Sequence, residues 1–466
     1  MINIKTFYNL LFVFLIIELI SCNKNYIIKT NLMNFTDKYT TVFKENEDLN
    51  NDNFTNKTVY YINMPENIYF SNIKYLDNNN IFHNYPRKNN NNIESTFTKY
   101  SNSSTFDPWP ETISQKCSEN EKDCSHCFSS VVNFEFDKDG NIYILDEGDS
   151  TCPIRVIKID KDGNETMNTY IIDNSSSNMI LSDFVIDTIN NYIYITYSKS
   201  TSGKDNIDEY GIYVKDLRNT NNTENAKKVK IEYDKLKYDD KFIISNIINE
   251  YYENVAKRVI NIALSCDSKV LFLSPLSSRK IFSILTETII NNEEKPITKD
   301  QVNEAFKNDF SSSIVAGNLG NLYFTGLENK NFYRAGQFDN KLTEFDYKGL
   351  NQDDNSEIFK GFLPLKLSIN DGSLYIYYKD LLKDTENEEF NITTMIYNAT
   401  IDKENSYVYK CAGLNYKWNI ISLIVWGVFT FILCFIAIFV LIENRQDKDY
   451  DYKKNNEEQQ ILKKKS

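Results

Sequence analysis

One phrase recurs six times along the chain and constrains its fold more than any other feature: a short apolar strand, a polar turn, then Ile or Leu followed by Tyr or Phe at the head of a second strand. The copies run from Asn72 to Phe82, Phe134 to Tyr143, Phe184 to Tyr194, Ile262 to Phe272, Ile314 to Tyr323 and Leu367 to Tyr375. Period-2 alternation on both sides of a polar turn predicts a β-hairpin. Successive aromatic residues lie 61, 51, 78, 51 and 52 positions apart, close to the roughly 40 to 50 residues of a four-stranded propeller blade plus its loops. The chain is therefore expected to be all-β, a six-bladed β-propeller over residues 59–413. Each Ile/Leu-aromatic pair is expected to be a packing residue, because a single sheet cannot bury both faces without radial neighbours.

Between the third and fourth copies, the charge-dense stretch Asn219 to Lys241 reads as an extended loop. After the fourth copy, Val302, Ala305 and Phe306 share a face at helical spacing, with Asp300 near the start, which predicts a helical turn over Lys299 to Lys307.

The ends of the chain add membrane signals. Residues 1–22 place Lys5 ahead of an apolar run from Leu10 to Ile20, interrupted by Glu18 and closed by Ser21 and Cys22, the pattern of a signal peptide. An Asn-rich segment, 23–58, follows. Ile420 to Ile442 carries no charge over 23 positions, enough to cross a hydrocarbon core of roughly 30 Å as a helix. Trp418 and Trp426 mark its outer end, and Arg445, Lys448, Lys453 and Lys454 follow its inner end, so the tail 443–466 is expected to face the cytoplasm. Cys434 inside the span reads as a packing residue. The expected topology is single-pass type I, in the cell membrane or a secretory-organelle membrane, with the N-terminus outside. The terminal Lys463-Lys464-Lys465-Ser466 resembles a dilysine retrieval signal, which leaves the early secretory pathway as the alternative.

A net charge of −13 argues against a general nucleic-acid role. Patches such as Asn89 to Asn92 read as loops rather than motifs. Between signal and anchor lie Cys117, Cys124, Cys127, Cys152, Cys266 and Cys411. An even number exported through an oxidising lumen favours disulfides. The same context weighs against zinc at Cys117, Cys124, His126 and Cys127, so no metal and no cofactor is expected. Glycosylation sequons stand at Asn34, Asn53, Asn56, Asn102, Asn164, Asn174, Asn221, Asn391 and Asn398.

Several phrases occur in an order that resembles the yellow and major royal jelly protein family. They are Ile81-Phe-His-Asn-Tyr-Pro-Arg87, Pro108-Trp-Pro110, Ser130-Val-Val-Asn-Phe-Glu-Phe-Asp137 with Ile142-Tyr-Ile-Leu-Asp-Glu-Gly148 and Cys152-Pro153, Ser182-Asp-Phe-Val-Ile-Asp187, Leu273-Ser-Pro-Leu-Ser-Ser278 and Gly320-Asn-Leu-Tyr-Phe-Thr-Gly-Leu-Glu-Asn329. The resemblance covers about Asn72 to Tyr378 and implies a six-bladed propeller, as the repeat does. Asp139 stands where the family has a cysteine before the Ile142 strand, so Cys152 needs another partner, with Cys124 and Cys127 nearest. Cys411 is a candidate to tie the end of the ring to the cluster near Cys117; spacing does not fix the pairing.

Family members are credited with dopachrome-type chemistry, with amine binding, or with nutritive and structural roles, so the resemblance leaves activity open. Asp183 sits where a channel-mouth acid would sit. In the fifth and sixth copies the family's Asp-Gly at that position reads Ser313-Ile314 and Leu365-Lys366, a loss that argues against inherited catalysis. His83 and His126 are the only histidines, which limits general-base schemes. Asp146, Glu147 and Asp149 form an acidic loop, read as a solvated turn in preference to a calcium site. Arg279 and Lys280 could meet an anion, and read first as exposed loop charges. Asp183, Asp146, Glu147 and Arg279 are thus the ligand-binding candidates. The expected role is an anchored propeller that binds a protein or small ligand outside the cell, by adhesion or capture. The alternatives are an enzyme of the dopachrome-converting type and an amine scavenger.

Overall fold

A computed structural model describes Phe43–Lys44, most of the stretch from residue 58 to 400, and five helical positions between Phe429 and Ala437; inside the long stretch the largest segments not described are 237–258, 346–361 and 381–391. The chain divides into two compact units, Met1–Ala412 and Gly413–Ser466. The expected signal 1–22 and tail 443–466 lie outside the described residues, and so does most of the Asn-rich segment. Of the expected span, Phe429, Thr430, Leu433, Phe435 and Ala437 are described, all helical. Among the described residues no helix is long and apolar enough to cross a membrane.

The first unit is a β-propeller. Its strands form six sheets, and each copy of the repeated phrase is the innermost hairpin of one of them. In chain order the innermost strands are Ile73–Asp77, Val131–Phe136, Met179–Asp187, Ile260–Leu264, Ile314–Ala316 and Phe362–Asn370. The aromatic strands of the phrase, among them Ile142–Asp146 and Tyr192–Lys199, pair antiparallel beside them. Each sheet packs its inner edge on the next, and Phe362–Asn370 returns to Ile73–Asp77, so the circle closes. A cycle of radially packed antiparallel sheets leaves only short protected edges.

Closure uses the N-terminal part of the chain. Thr58–Met64 pairs antiparallel with Ile392–Thr400 as the outermost strand of the sixth sheet. Two further strands add parallel to outer edges: Phe43–Lys44 on Leu342–Phe345, and Ile297–Thr298 on Lys227–Glu232.

The core lies in the wedges between neighbouring sheets. Phe82, Phe97, Trp109, Phe134 and Phe136 fill the first wedge, with Phe134 5.0 Å from Phe97 and 5.7 Å from Phe136 between ring centroids. Leu181, Phe184 and Ile195 meet Leu145 and Val156 in the second, and Ile262, Leu273 and Phe282 meet Tyr194 and Ile212 in the third. Burying a side chain of this kind is worth about 1.5–3 kcal/mol each. Buried hydroxyls then stitch the wedges. Thr96 Oγ1 accepts from Val131 N at 2.8 Å, Thr196 Oγ1 donates to Ile260 O at 2.6 Å, and Ser312 Oγ donates to Pro364 O at 2.7 Å.

The hairpin turns repeat one backbone conformation. Gly140, Asn191, Ser268 and Gly320 all have φ between 59° and 83°, and each lies in the turn just before the Ile/Leu-aromatic pair. Glycine and asparagine enter this left-handed region at low cost.

Two local expectations are corrected. Residues 303–307 are a strand, the outer strand of the fourth sheet, preceded by a single 3-10 turn at Lys299–Gln301. Pairing with Lys280–Leu285 slips between Ile281 and Phe282, which leaves Ala305 as an extra residue. That bulge places Ala305 and Phe306 both inside and imitates helical spacing. The supposed loop Asn219 to Lys241 contains the strand Lys227–Glu232, whose Val229 and Ile231 are buried between exposed Lys228, Lys230 and Glu232.

Candidate functional site

In each copy of the repeated phrase, one residue stands directly before the apolar side chain that the copy buries first. The six residues in this slot are Asn72, Asn133, Asp183, Asn261, Ser313 and Lys366, ahead of Ile73, Phe134, Phe184, Ile262, Ile314 and Leu367. Alternation turns the apolar residue into the wedge and the slot residue toward the axis. Five of the six line one open cavity of about 870 Å³, counting its solvent-open part, and the sixth, Asn261, accepts a hydrogen bond from Lys366 Nζ at 3.3 Å. Two residues further along, Lys74, Glu135, Val185, Ala263, Val315 and Ser368 form a second layer of the same cavity.

The slot residues are held tightly. Asp183 Oδ1 accepts from the Asn133 amide and from Phe184 N at 3.0 Å, and Oδ2 accepts from Ile262 N at 3.0 Å, so this carboxylate joins the second, third and fourth sheets. Asn261 is fully buried, and its Nδ2 has no partner among the described residues. Below the ring, Lys74 is ion-paired with Glu135. Two carboxylates and two ammonium groups therefore face one cavity.

Burial dominates the electrostatics of this quartet. Dehydration pushes the Asp183 carboxyl above its ordinary range, against the opposing pull of Lys366 and Lys74. It likewise raises Glu135 against Lys74. Lys366 is pushed down by dehydration, against the attraction of Asp183, while the charge on Lys74 depresses it further. The shifts of Asp183 and Lys366 agree in sense: their mutual attraction does not offset what each loses in water.

The other sequence candidates lie elsewhere. Asp146 is fully buried, paired with Arg155 at 2.8 Å, and accepts from Ser129 N at 3.1 Å and Ser130 N at 2.7 Å. Glu147 accepts from Ser130 Oγ at 2.7 Å, and Asp149 caps its own loop through Thr151 N and Cys152 N. Asp146 and Glu147 are thus a buried scaffold and not part of a solvated turn, their carboxylates satisfied by Arg155, the Ser129 and Ser130 N–H groups and the Ser130 hydroxyl, whereas Asp149 is exposed, as expected. Arg279 pairs with Glu328 and lies 4.9 Å over the Phe310 ring, an ordinary rim contact.

The cysteines pair Cys117 with Cys127 and Cys124 with Cys152. All four members of the cluster are used, which rules out Cys411 as a partner there. Cys266 is also disulfide-bonded, and Cys411 lies outside the described residues. The fifth and sixth copies keep polar groups at the channel mouth, contrary to expectation. Ser313 and Lys366 occupy the same slot as Asp183, and only the residue type has changed. Aligning the six phrases on their first buried residue would have revealed this ring.

No protein-family model and no curated protein matches the chain. Among solved structures it is similar to a luciferin-regenerating enzyme, with 12% identity and a TM-score of 0.42 over 76% of this chain and 98% of that one. It is also similar to the calcium-binding protein regucalcin of Agrobacterium tumefaciens strain C58, with 10% identity and a TM-score of 0.39 over 73% of this chain and 94% of that one. Likeness at this level carries no argument about the site, and the resemblance to the yellow and royal jelly family rests on the sequence phrases alone.

Proposed function

We propose that this chain is a single-pass type I membrane protein whose propeller captures a small polar ligand at the channel mouth, outside the cell or within a secretory organelle. The observation that carries the reading is the quartet Lys74, Glu135, Asp183 and Lys366 around one open cavity. Ionic groups of both signs, held by buried hydrogen bonds before any ligand arrives, recognise a molecule with charges of its own at little reorganisation cost. The uncharged segment Ile420 to Ile442 supports the anchor, as do the exposed helical residues Phe429 and Phe435 within it. A tethered propeller suits capture or presentation, and a protein partner at the rim is compatible with it.

Calorimetric titration of the purified full-length chain with a panel of amino acids and small carboxylates tests this. Saturable heat that disappears in Asp183→Asn, with the melting transition retained, is the expected result. No saturation by any member of the panel would remove the small-ligand reading and leave adhesion by the outer surface. One feature favours turnover instead: Asp183 is biased toward its protonated form and so resembles a general acid. Consumption of a catechol-derived substrate, lost in the same variant, would establish the dopachrome-type alternative.

A further inference from the structure

The four ionisable groups of the cavity are not equivalent. Lys74 keeps its charge and has a direct carboxylate partner in Glu135. Lys366 is half-buried in the cavity wall, and among the described residues its ammonium is held by one neutral oxygen, Asn261 Oδ1, at 3.3 Å. A lysine in a dehydrated site beside a second cation, without a direct carboxylate partner, is the arrangement that makes an amine a nucleophile near neutral pH. Burial and the charge on Lys74 both favour the free amine of Lys366.

We propose that Lys366 captures aldehydes or ketones that enter the channel, by forming an imine. This rests on the small-ligand reading above and names the chemical class that the site takes. The Lys366 nitrogen lone pair forms a bond to the carbonyl carbon, and the C=O π pair moves to oxygen, which takes up a proton. The carbinolamine then loses its oxygen as water while nitrogen releases a proton, leaving C=N; amine and carbonyl give imine and water with no change of oxidation state. Asp183 faces the same cavity, and burial raises its carboxyl above the ordinary range, which favours its passing a proton to the departing oxygen.

Glyoxylate is a suitable probe. The full-length chain is incubated at pH 7 with glyoxylate and cyanoborohydride, which reduces each imine to a stable secondary amine, and labelled lysines are mapped by mass spectrometry over time. Lys366 should be labelled at least about threefold faster than the exposed Lys138 and Lys161. Replacing Lys74 by Met, which removes the second cation, should narrow that excess. Labelling of Lys366 no faster than that of Lys138 and Lys161 in the folded wild-type chain overturns the proposal, and this comparison needs no variant. Lys366→Arg keeps the charge but cannot form the imine. Calorimetric binding retained in Lys366→Arg, together with slow labelling in the wild type, would sink capture and leave the binding reading intact. Fast labelling in a chain that binds no member of the calorimetric panel would sink the earlier reading and keep this one.

Discussion

Replacing Arg155 by Met is expected to remove about 3–5 kcal/mol of stability, a large part of the roughly 5–15 kcal/mol that holds a domain folded. Arg155 and Asp146 are 2% and 0% exposed. The guanidinium reaches Asp146 Oδ2 through Nη2 at 2.8 Å and Nε at 3.2 Å, donates to Cys127 O at 2.6 Å, and also donates to Cys124 O. Met fills the volume of the Arg155 stem but supplies no donor. Two carbonyls of the cysteine segment then lose a partner, and Asp146 keeps the N–H groups of Ser129 and Ser130 and a longer contact from Gly148 N at 3.4 Å. The stranded charge is the larger cost, because Cys124 O can turn to water while Asp146 cannot. Adding Asp146→Asn to Arg155→Met removes that charge and keeps an oxygen for one of the two N–H groups, Ser130 N on Oδ1, while Ser129 N loses its acceptor, so the double variant should recover part of the loss. Urea unfolding, followed by fluorescence of the buried Trp109, gives both values if the slope of free energy on urea stays constant. A loss below about 1 kcal/mol for Arg155→Met, or a double variant no more stable than the single one, would refute the argument.

Gly211→Ala should cost about 1–3 kcal/mol, since a β-carbon there would come within 2.3–2.5 Å of the Tyr197 ring, which is fully buried and donates its hydroxyl to Glu209 at 2.9 Å; an unchanged urea midpoint would contradict it. Removing the Cys124–Cys152 bridge by a double Ser substitution frees a loop of 28 residues, for which chain entropy predicts a loss of about 3–4 kcal/mol, read in the same assay. For pH, Lys366→Met separates one group from the rest of the quartet. The folded Lys366 releases its proton at lower pH than the unfolded chain does, so between that lowered value and about 10.4 the unfolded state binds more protons and the wild-type contribution of Lys366 grows as pH rises. Asp183 and Glu135 face the same cavity and are present in both proteins. The stability difference, wild type minus Lys366→Met, should therefore increase from neutral to alkaline pH; a flat or falling difference would show that Lys366 is not dehydrated.

The hairpins were legible because packing writes a period into sequence. Phe82, Tyr143, Tyr194, Phe272, Tyr323 and Tyr375, predicted as packing residues from their recurrence, are all buried. What was misread depends on contacts between segments far apart in the chain. The strand at Asn303–Lys307 is disguised by its bulge against Ile281, and Lys227–Glu232 by its density of charge on the solvent face. Asp146 looked like part of an exposed acidic loop because Arg155, nine residues away, carries no local signal that it folds back onto it. Asp183 was found by its place in one phrase. Lys366 was read as the loss of a motif when it is the same slot filled with the opposite charge.

That substitution bears on what the channel recognises, because six copies of one phrase form an alignment within a single chain. Positions serving the fold hold one chemistry throughout: Ile73, Phe134, Phe184, Ile262, Ile314 and Leu367 are all large, apolar and buried. The position one residue earlier is presented by six sheets in the same local geometry, yet it varies among Asn, Asp, Ser and Lys. A residue needed only for packing or for the strand start would have no reason to vary in charge around a near-symmetric ring. The second layer is graded too, with Lys74 and Glu135 on the first two sheets and Val185, Ala263 and Val315 on the next three. In this second layer one flank of the channel is therefore ionic and the other apolar, with Asp183 and Ser313 in the slot layer on the apolar side. A bare ion has no use for such a division. The small organic ligand proposed above would use it, with its charged and carbonyl groups toward Lys74, Glu135 and Lys366 and its hydrocarbon toward Val185, Ala263 and Val315, because a pseudo-symmetric scaffold has to become asymmetric to hold one ligand in one orientation.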